Sequence, residues 1–369
     1  MKYYIIAGEA SGDLHGSNLI KELIKQDADA QIRCWGGDLM QEAGGTLVKH
    51  YKDLAFMGFV EVIRNIPTIF RNIAFCKKDI LEFQPNAIIF IDYSGFNLRI
   101  AKWAKQQAFT THYYISPQVW ASRAGRVKAI KRDIDLMHVI LPFEKEFYAK
   151  YDYEVNFVGH PLIDAISGRE QVNETAFREA HDLGSKKIIA LLPGSRKQEI
   201  IKMLSVMLSL VKDFPEYEFV IAGAPSQDYD FYAHFIKDSN VKFINNKTYD
   251  LLSISYAALV TSGTATLETA LFKVPQVVCY KGSAISYQIA KRIITLKFIS
   301  LVNLIMDKEV VTELIQDDFN KNRLRKELFK ILDPSLREKL FIDYYELEQK
   351  LGGKGASAAA AKSIISAIS

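Results

Sequence analysis

What most restricts the fold of this chain is a rhythm: short runs of β-branched and aromatic residues alternate with amphipathic stretches of helical periodicity. The runs "YYIIA" (3–7), "AIIFID" (87–92), "THYYIS" (111–116) and "LMHVIL" (136–141) read as strands. Strand, helix, strand, helix implies a parallel sheet covered on both faces. The pattern then starts again. "KKIIALLPGSRKQEI" (186–200) is a strand, a Pro-Gly loop and a helix, followed by "EFVIAG" (218–223), "VKFI" (241–244), "AALVTSG" (257–263) and "PQVVCY" (275–280). The expectation is an α/β chain of two tandem Rossmann-like open parallel sheets with C-terminal helices. The Gly, Pro and charged residues of "GHPLIDAISGREQVNE" (159–174) mark the linker. Domains are therefore expected over residues 1–174 and 175–334. Helices over 335–369 would then return to the first domain or cross to a partner, which leaves a homodimer open. Ligands of open α/β sheets lie beyond the carboxyl ends of the strands, so the site is expected in a cleft between the two sheets.

Composition removes several classes of function. The 369 residues are 49% hydrophobic and 24% charged with a net charge of +4, an ordinary globular balance that does not mark a nucleic-acid binder. Cys34, Cys76 and Cys279 are too widely spaced for a C-x-x-C motif, so no disulfide or zinc framework is expected and a reducing compartment fits. No apolar run approaches the ~18 residues that span a bilayer, and the N-terminal apolar stretch is too short for a signal peptide. The expected location is the cytoplasm. No G-x-G-x-x-G follows a strand and no G-x-x-x-x-G-K-[ST] occurs, which argues against dinucleotide oxidoreductases and P-loop NTPases. Ser11 of "GEASG" is displaced by one from the nucleophile-elbow pattern. The acid pairs of "DID" (133–135) and "DYD" (228–230) are poorly placed to hold a metal, and none is expected.

Two strand-loop-helix elements suit a diphosphate. In "LLPGSRKQEI" the turn at Gly194 and Ser195 opens a helix whose free N–H groups attract anions, and Arg196 adds a forked donor. A capped helix with a surface arginine is the plainer reading. In "VTSGTATLETALF", Ser262, Gly263 and Thr264 repeat the element, and Glu268 lies one turn past Thr264, where it could accept hydrogen bonds from a ribose diol. Asp92 ends a buried strand in "AIIFIDYSGFN". It is either a general base with a raised pKa or the cap of the following helix. The stretch "LAFMGFVEVIRNIPTIFRNIAFCKK" (54–78) carries too many apolar residues for one buried stripe, with cations among them. It is either an interfacial membrane surface or a helix buried between domains. The five cations of "RAGRVKAIKR" (123–132) are a solvated face or a phosphate attractor.

Taken in order, "AGEASGDLHG", "MGFVEV", "IDYSGFN", "YISPQVWA", "LPFEKEFY", "FVGHPLID", "LLPGSRKQEI", "SGTATLE" and "SLVNL" resemble the lipid-A-disaccharide synthases, at their spacing and over roughly residues 3–315. That resemblance implies a metal-independent, inverting glycosyltransferase of the GT-B type, family 19, in lipid A biosynthesis. Its members join UDP-2,3-diacylglucosamine to 2,3-diacylglucosamine 1-phosphate (lipid X) and release UDP, at the cytoplasmic face of the inner membrane. Carried over by motif, the general base falls on Asp92 and the glutamate of the Gly-Glu motif on Glu9. The arginine at the leaving diphosphate falls on Arg196, beside Gly194 and Ser195. The donor loop falls on Ser262, Gly263 and Thr264, with Glu268 on the ribose and Asn303 near the nucleotide. The membrane patch falls on Val60, Val62, Ile63, Ile66, Ile69 and Phe70. Gly95 stands where many members have a second acid, so no role for that acid carries over. Gln118 to Ser122 depart from the common Ser-Val-Trp-Ala-Trp. Rival readings are a UDP-sugar 2-epimerase of the same fold and a non-catalytic, membrane-associated nucleotide-binding module. The glycines of "AGEASGDLHG" are read as serving close approach to the acceptor sugar.

Overall fold

The computed structural model describes residues 1–54, 66–224, 227–237, 239–282 and 297–369, with backbone alone at Ile66 and Ser122. The chain divides into two compact units. Met1–Ser167 with Leu351–Ser369 forms the first and Gly168–Lys350 the second.

The first unit is built on β1 (Lys2–Ala7), β2 (Gln31–Gly36), β3 (Thr46–His50), β4 (Ala87–Ile91), β5 (Thr111–Tyr114), β6 (Leu136–Val139) and β7 (Asn156–Phe157). They form one sheet in the order β3-β2-β1-β4-β5-β6-β7, and every pairing in it is parallel. Successive side chains of a strand point to opposite faces, and in β1 both sets are apolar. Tyr4 and Ile6 join a core with Trp35, Phe90 and Tyr113. Tyr3, Ile5 and Ala7 join a second core on the other face, which Ala360, Ala361 and Ile364 of the Ala356–Ile368 helix help to fill. A strand apolar on both sides is stable only under helices on both, which is why the last helix returns to this unit. Asp164 holds that helix by accepting from Gly355 N at 2.7 Å and Ser357 N at 2.9 Å.

The second unit repeats the plan with β8 (Lys187–Leu192), β9 (Tyr217–Gly223), β10 (Lys242–Asn245), β11 (Ser255–Thr261), β12 (Gln276–Tyr280) and β13 (Glu313–Ile315), in the order β10-β9-β8-β11-β12-β13. All of these pairings are parallel too.

The unit boundaries differ from those expected. The first falls at 167/168 rather than 174/175, and the second at 350/351 rather than 334/335. The Pro334–Lys350 helix belongs with the second unit because its contacts are there. Lys273 pairs with Glu348 at 2.5 Å, and the Arg337 guanidinium lies 3.5 Å from the ring centre of Tyr256. Only residues after Lys350 return to the first unit.

In each sheet the strand order reverses once between neighbours, at β1/β4 and at β8/β11. Loops leaving adjacent strands there run to opposite faces and leave a crevice at the carboxyl edge. Ala7 pairs with Ile91 in the first sheet and Leu192 with Val260 in the second. The residues that follow these four are the candidate site residues.

Candidate active site

At the first reversal, β1 runs through Gly8 and Glu9 into the Ala10–Gln26 helix, and β4 runs through Asp92 and Tyr93 into the Ser94–Gln106 helix. Gly8 has no room for a side chain: a Cβ would lie 2.3 Å from Cγ of Tyr93. Asp92 and Tyr93 both have left-handed backbones, with φ of 42° and 44°. Such a conformation costs a non-glycine residue about 1–2 kcal/mol and needs support from its surroundings. Asn97 supplies it, donating from Nδ2 to Asp92 O at 2.9 Å and Ile91 O at 3.2 Å. The Tyr113 hydroxyl also donates to Asp92 O, and Tyr93 stacks on Phe96 with ring centres 5.6 Å apart. The Asp92 carboxyl is half-buried and feels the charge of Glu9. Burial pushes its pKa up to about 6; the negative charge of Glu9 adds to this and the Tyr93 backbone N–H opposes it.

Glu9, the N-cap residue of its helix, is exposed. Asp13, the other acid of "AGEASGDLHG", is buried and does different work. Its carboxylate accepts from the backbone N–H of Gly37 (2.7 Å), Leu39 (3.2 Å) and Met40 (3.0 Å), capping the Asp38–Glu42 helix from outside.

At the second reversal, Gly194 has φ of 103°, a value that L-residues rarely adopt. The helix begins at Lys197, so Arg196 is its N-cap rather than a residue of its first turn, and the Arg196 side chain makes no capping hydrogen bond. The Arg196 side chain is 76% exposed and meets Glu199 at 3.5 Å. After β11, the Thr264–Leu271 helix starts with Gly263 at its N-cap. Ser262 is anchored: its hydroxyl donates to Ile299 O at 3.0 Å. Glu268 accepts from the Tyr249 hydroxyl at 3.0 Å, and burial pushes its carboxyl pKa up.

Asn303, expected near the nucleotide, lies in the interior of the second unit. It is fully buried, and its amide is spent on the protein. Nδ2 donates to Val311 O (2.8 Å) and Glu313 Oε1 (2.9 Å), while Oδ1 accepts from Val310 N (2.8 Å) and Val311 N (3.0 Å). Direct contact with a nucleotide would break this set. Glu313 in turn accepts from the N–H groups of Ile299 and Ser300, both at 2.9 Å, and Ile299 is the residue that holds Ser262. Asn303 thus reaches the loop at Ser262 through a relay.

The apolar patch is only partly described. Val60, Val62 and Ile63 lie outside the described residues, as does the side chain of Ile66. In the Ile66–Phe83 helix, Ile69 is partly buried and packs against the first core with Ile73, Cys76 and Ile80. Phe70 points outward, 64% exposed. The acid pairs are structural. Asp133 pairs with Arg132 at 2.6 Å, Asp135 with Lys105, and Asp228 caps the Tyr229–Ile236 helix. Among the described residues there is no cluster of three or more His, Cys, Asp or Glu side chains that could hold a metal ion, and no helix long and apolar enough to cross a membrane.

Comparison with known proteins decides between the readings that share this fold. The family model described as Lipid-A-disaccharide synthetase matches residues 3–366. The chain belongs to the lipid-A-disaccharide synthetase family. It is 39% identical over 360 residues to the lipid-A-disaccharide synthase of Geobacter metallireducens, covering 96% of this chain and 94% of that protein. It is also 39% identical over 370 residues to the one from Syntrophus aciditrophicus, covering 97% and 95%. Among solved structures, a UDP-GlcNAc 2-epimerase from Neisseria meningitidis bound to UDP-GlcNAc superposes with a TM-score of 0.73 at 13% identity, covering 99% and 100% of the two chains. At that identity the likeness speaks for the fold alone. Membership of the lipid-A-disaccharide synthetase family makes the chain a glycosyltransferase of lipid A biosynthesis and leaves the epimerase and the non-catalytic module without support.

Several residues of this family member were not singled out in the sequence. Asn97 stands inside the motif "IDYSGFN" and could have been read as the clamp of a strained turn. Tyr113, Tyr249 and Glu313 carry no local signal, because each acts on a residue distant in the chain.

Proposed function

We propose that the chain transfers a 2,3-diacylglucosaminyl group from UDP-2,3-diacylglucosamine to the 6-hydroxyl of lipid X. The products would be the β-1,6-linked disaccharide 1-phosphate and UDP. The observation that carries this reading is Asp92. It is a half-buried carboxyl at the strand-order reversal, held up to about pH 6 on a backbone clamped by Asn97 and Tyr113. A carboxylate of that pKa is ionised at neutral pH yet basic enough to take a hydroxyl proton. The acceptor oxygen gives its proton to Asp92 and forms a bond to the anomeric carbon with inversion. The bond from that carbon to the β-phosphate oxygen breaks, and UDP leaves with the electron pair. Glu9 accepts hydrogen bonds from the acceptor sugar.

In this reading the first unit takes the acceptor and the second takes the donor. Arg196, on a long exposed side chain with a weak surface pair to Glu199, swings to the leaving diphosphate. The helix starts after Gly194-Ser195 and at Gly263-Thr264 offer their N–H groups to phosphate oxygens. Positive charge and helix ends do here what Mg²⁺ does elsewhere, so the transfer needs no metal. Exposed Phe70, with the neighbouring stretch that contains Val60, Val62 and Ile63, makes peripheral contact with the inner membrane.

The test is to incubate the purified chain with the two acylated monosaccharides in detergent and a metal chelator. Disaccharide 1-phosphate and UDP are expected in equal amounts. UDP without disaccharide, an epimerised donor, or activity lost to the chelator would overturn the corresponding part of the proposal.

A further inference from the structure

We propose that Tyr249 is the positioning residue for nucleotide recognition, its hydroxyl fixing the Glu268 carboxylate in the orientation that receives a ribose diol. This rests on Glu268 being the ribose acceptor. The two side chains come from the helices on either side of β11. Tyr249 lies on Thr248–Ser253, which leads into the strand, and Glu268 on Thr264–Leu271, which leaves it. The Tyr249 hydroxyl donates to Glu268 Oε1 at 3.0 Å, and among the described residues no other donor reaches that carboxylate.

A glutamate carboxylate rotates easily about its last torsion, which is broad and two-fold. One donor on Oε1 fixes the carboxylate plane and leaves Oε2 to the ligand. The same hydrogen bond has an electrostatic effect. Burial favours the neutral acid of Glu268, and the Tyr249 donor opposes that shift. An ionised carboxylate is acceptor-only and can take both hydroxyls of a diol; a protonated one surrenders an acceptor site.

Tyr249 is itself held. Its ring lies 5.3 Å from that of Phe272, and the Arg169 guanidinium sits 5.2 Å from its centroid on the ring face. Arg169 is fixed by an ion pair with Asp250, which Lys247 also approaches at 3.4 Å. Burial and the charge of Glu268 push the Tyr249 phenol pKa up, with Arg169 pulling the other way. The phenol therefore stays a protonated donor. A cation over the ring withdraws electron density and strengthens that donor.

The experiment measures dissociation constants of UDP and of 2′,3′-dideoxy-UDP for the native chain, Tyr249→Phe, Glu268→Ala and the double variant. The constant for dideoxy-UDP divided by that for UDP isolates the contribution of the ribose hydroxyls. Phenylalanine keeps the ring against Phe272 and Arg169, so packing is preserved. Tyr249→Phe is expected to weaken UDP about tenfold and leave dideoxy-UDP unchanged, so the ratio falls. Glu268→Ala should lower the ratio at least as far, with no further fall in the double variant. If Glu268→Ala leaves the ratio intact, the ribose reading of Glu268 fails and this proposal fails with it. If Glu268→Ala lowers the ratio while Tyr249→Phe does not, Glu268 stands and the role of Tyr249 is overturned. Equal weakening of both nucleotides by Tyr249→Phe would mean that Tyr249 only shapes the pocket, which also overturns it.

Discussion

Asp92 and Glu9 are coupled across the β1/β4 reversal, and their coupling has a sign that can be measured. The folded chain holds the Asp92 carboxyl at about 6 against an ordinary 3.8, through burial first and the charge of Glu9 second. The ionised form is the base, so kcat/KM should fall as the pH drops through about 6. Replacing Glu9 with Gln removes one of the two raising influences. The acid limb of the pH profile should then move to lower pH, by roughly half a unit, whatever happens to the maximal rate. A limb that stays in place would contradict the coupling. The two acids of "AGEASGDLHG" also show where reading from sequence stops. Both follow a strand and both look available to a ligand, yet Asp13 is consumed by three backbone N–H groups of another helix. Nothing local distinguishes a carboxylate that meets a sugar from one that caps a distant turn.

At the scale of elements, the strands that flank both reversals are legible because they are buried on both faces. Tyr3 to Ala7, Ala87 to Ile91, Ile188 to Leu192 and Ala257 to Thr261 are continuous buried runs. Four strands away from the reversals, β2, β3, β7 and β13, are not. β3 is a half-exposed edge, β7 has two residues and β13 has three, too few to show a period. β2 interleaves Gln31 and Arg33 with its apolar residues and hides its pattern. The grouping of the Pro334–Lys350 helix with the second unit is hidden for a similar reason. Its fully buried side chains are few, and it is held to the second unit by Lys273 and Arg337 acting on partners far away in sequence. Asn303 is the clearest case of a motif residue whose side-chain hydrogen bonds all run to other parts of its own unit. Asn303→Ala should destabilise the second unit by about 3 kcal/mol, since buried N–H groups of the 310–311 turn lose their acceptor. Thermal unfolding checks this. A variant of native stability with UDP binding lost would instead mean direct contact with the nucleotide.

At the scale of the whole molecule, the proposed transfer draws its acceptor residues and its nucleotide residues from different units. In the proposal, Asp92 and Glu9 of the first unit act on the acceptor, and Arg196 and Glu268 of the second hold the nucleotide. Each set stands where its own sheet reverses strand order, so one local rule of α/β topology places both. A division of that kind makes binding and chemistry separable by substitution. Loss of the base should leave the nucleotide site intact, because Asp92 and the loops after β8 and β11 belong to different units. The most direct test is the turnover of Asp92→Asn under saturating donor and acceptor, measured together with its dissociation constant for UDP. Turnover should fall by about 10³-fold while UDP binds within about twofold of the native chain. Turnover within a factor of about ten of native, or loss of UDP affinity along with it, would contradict Asp92 as the base.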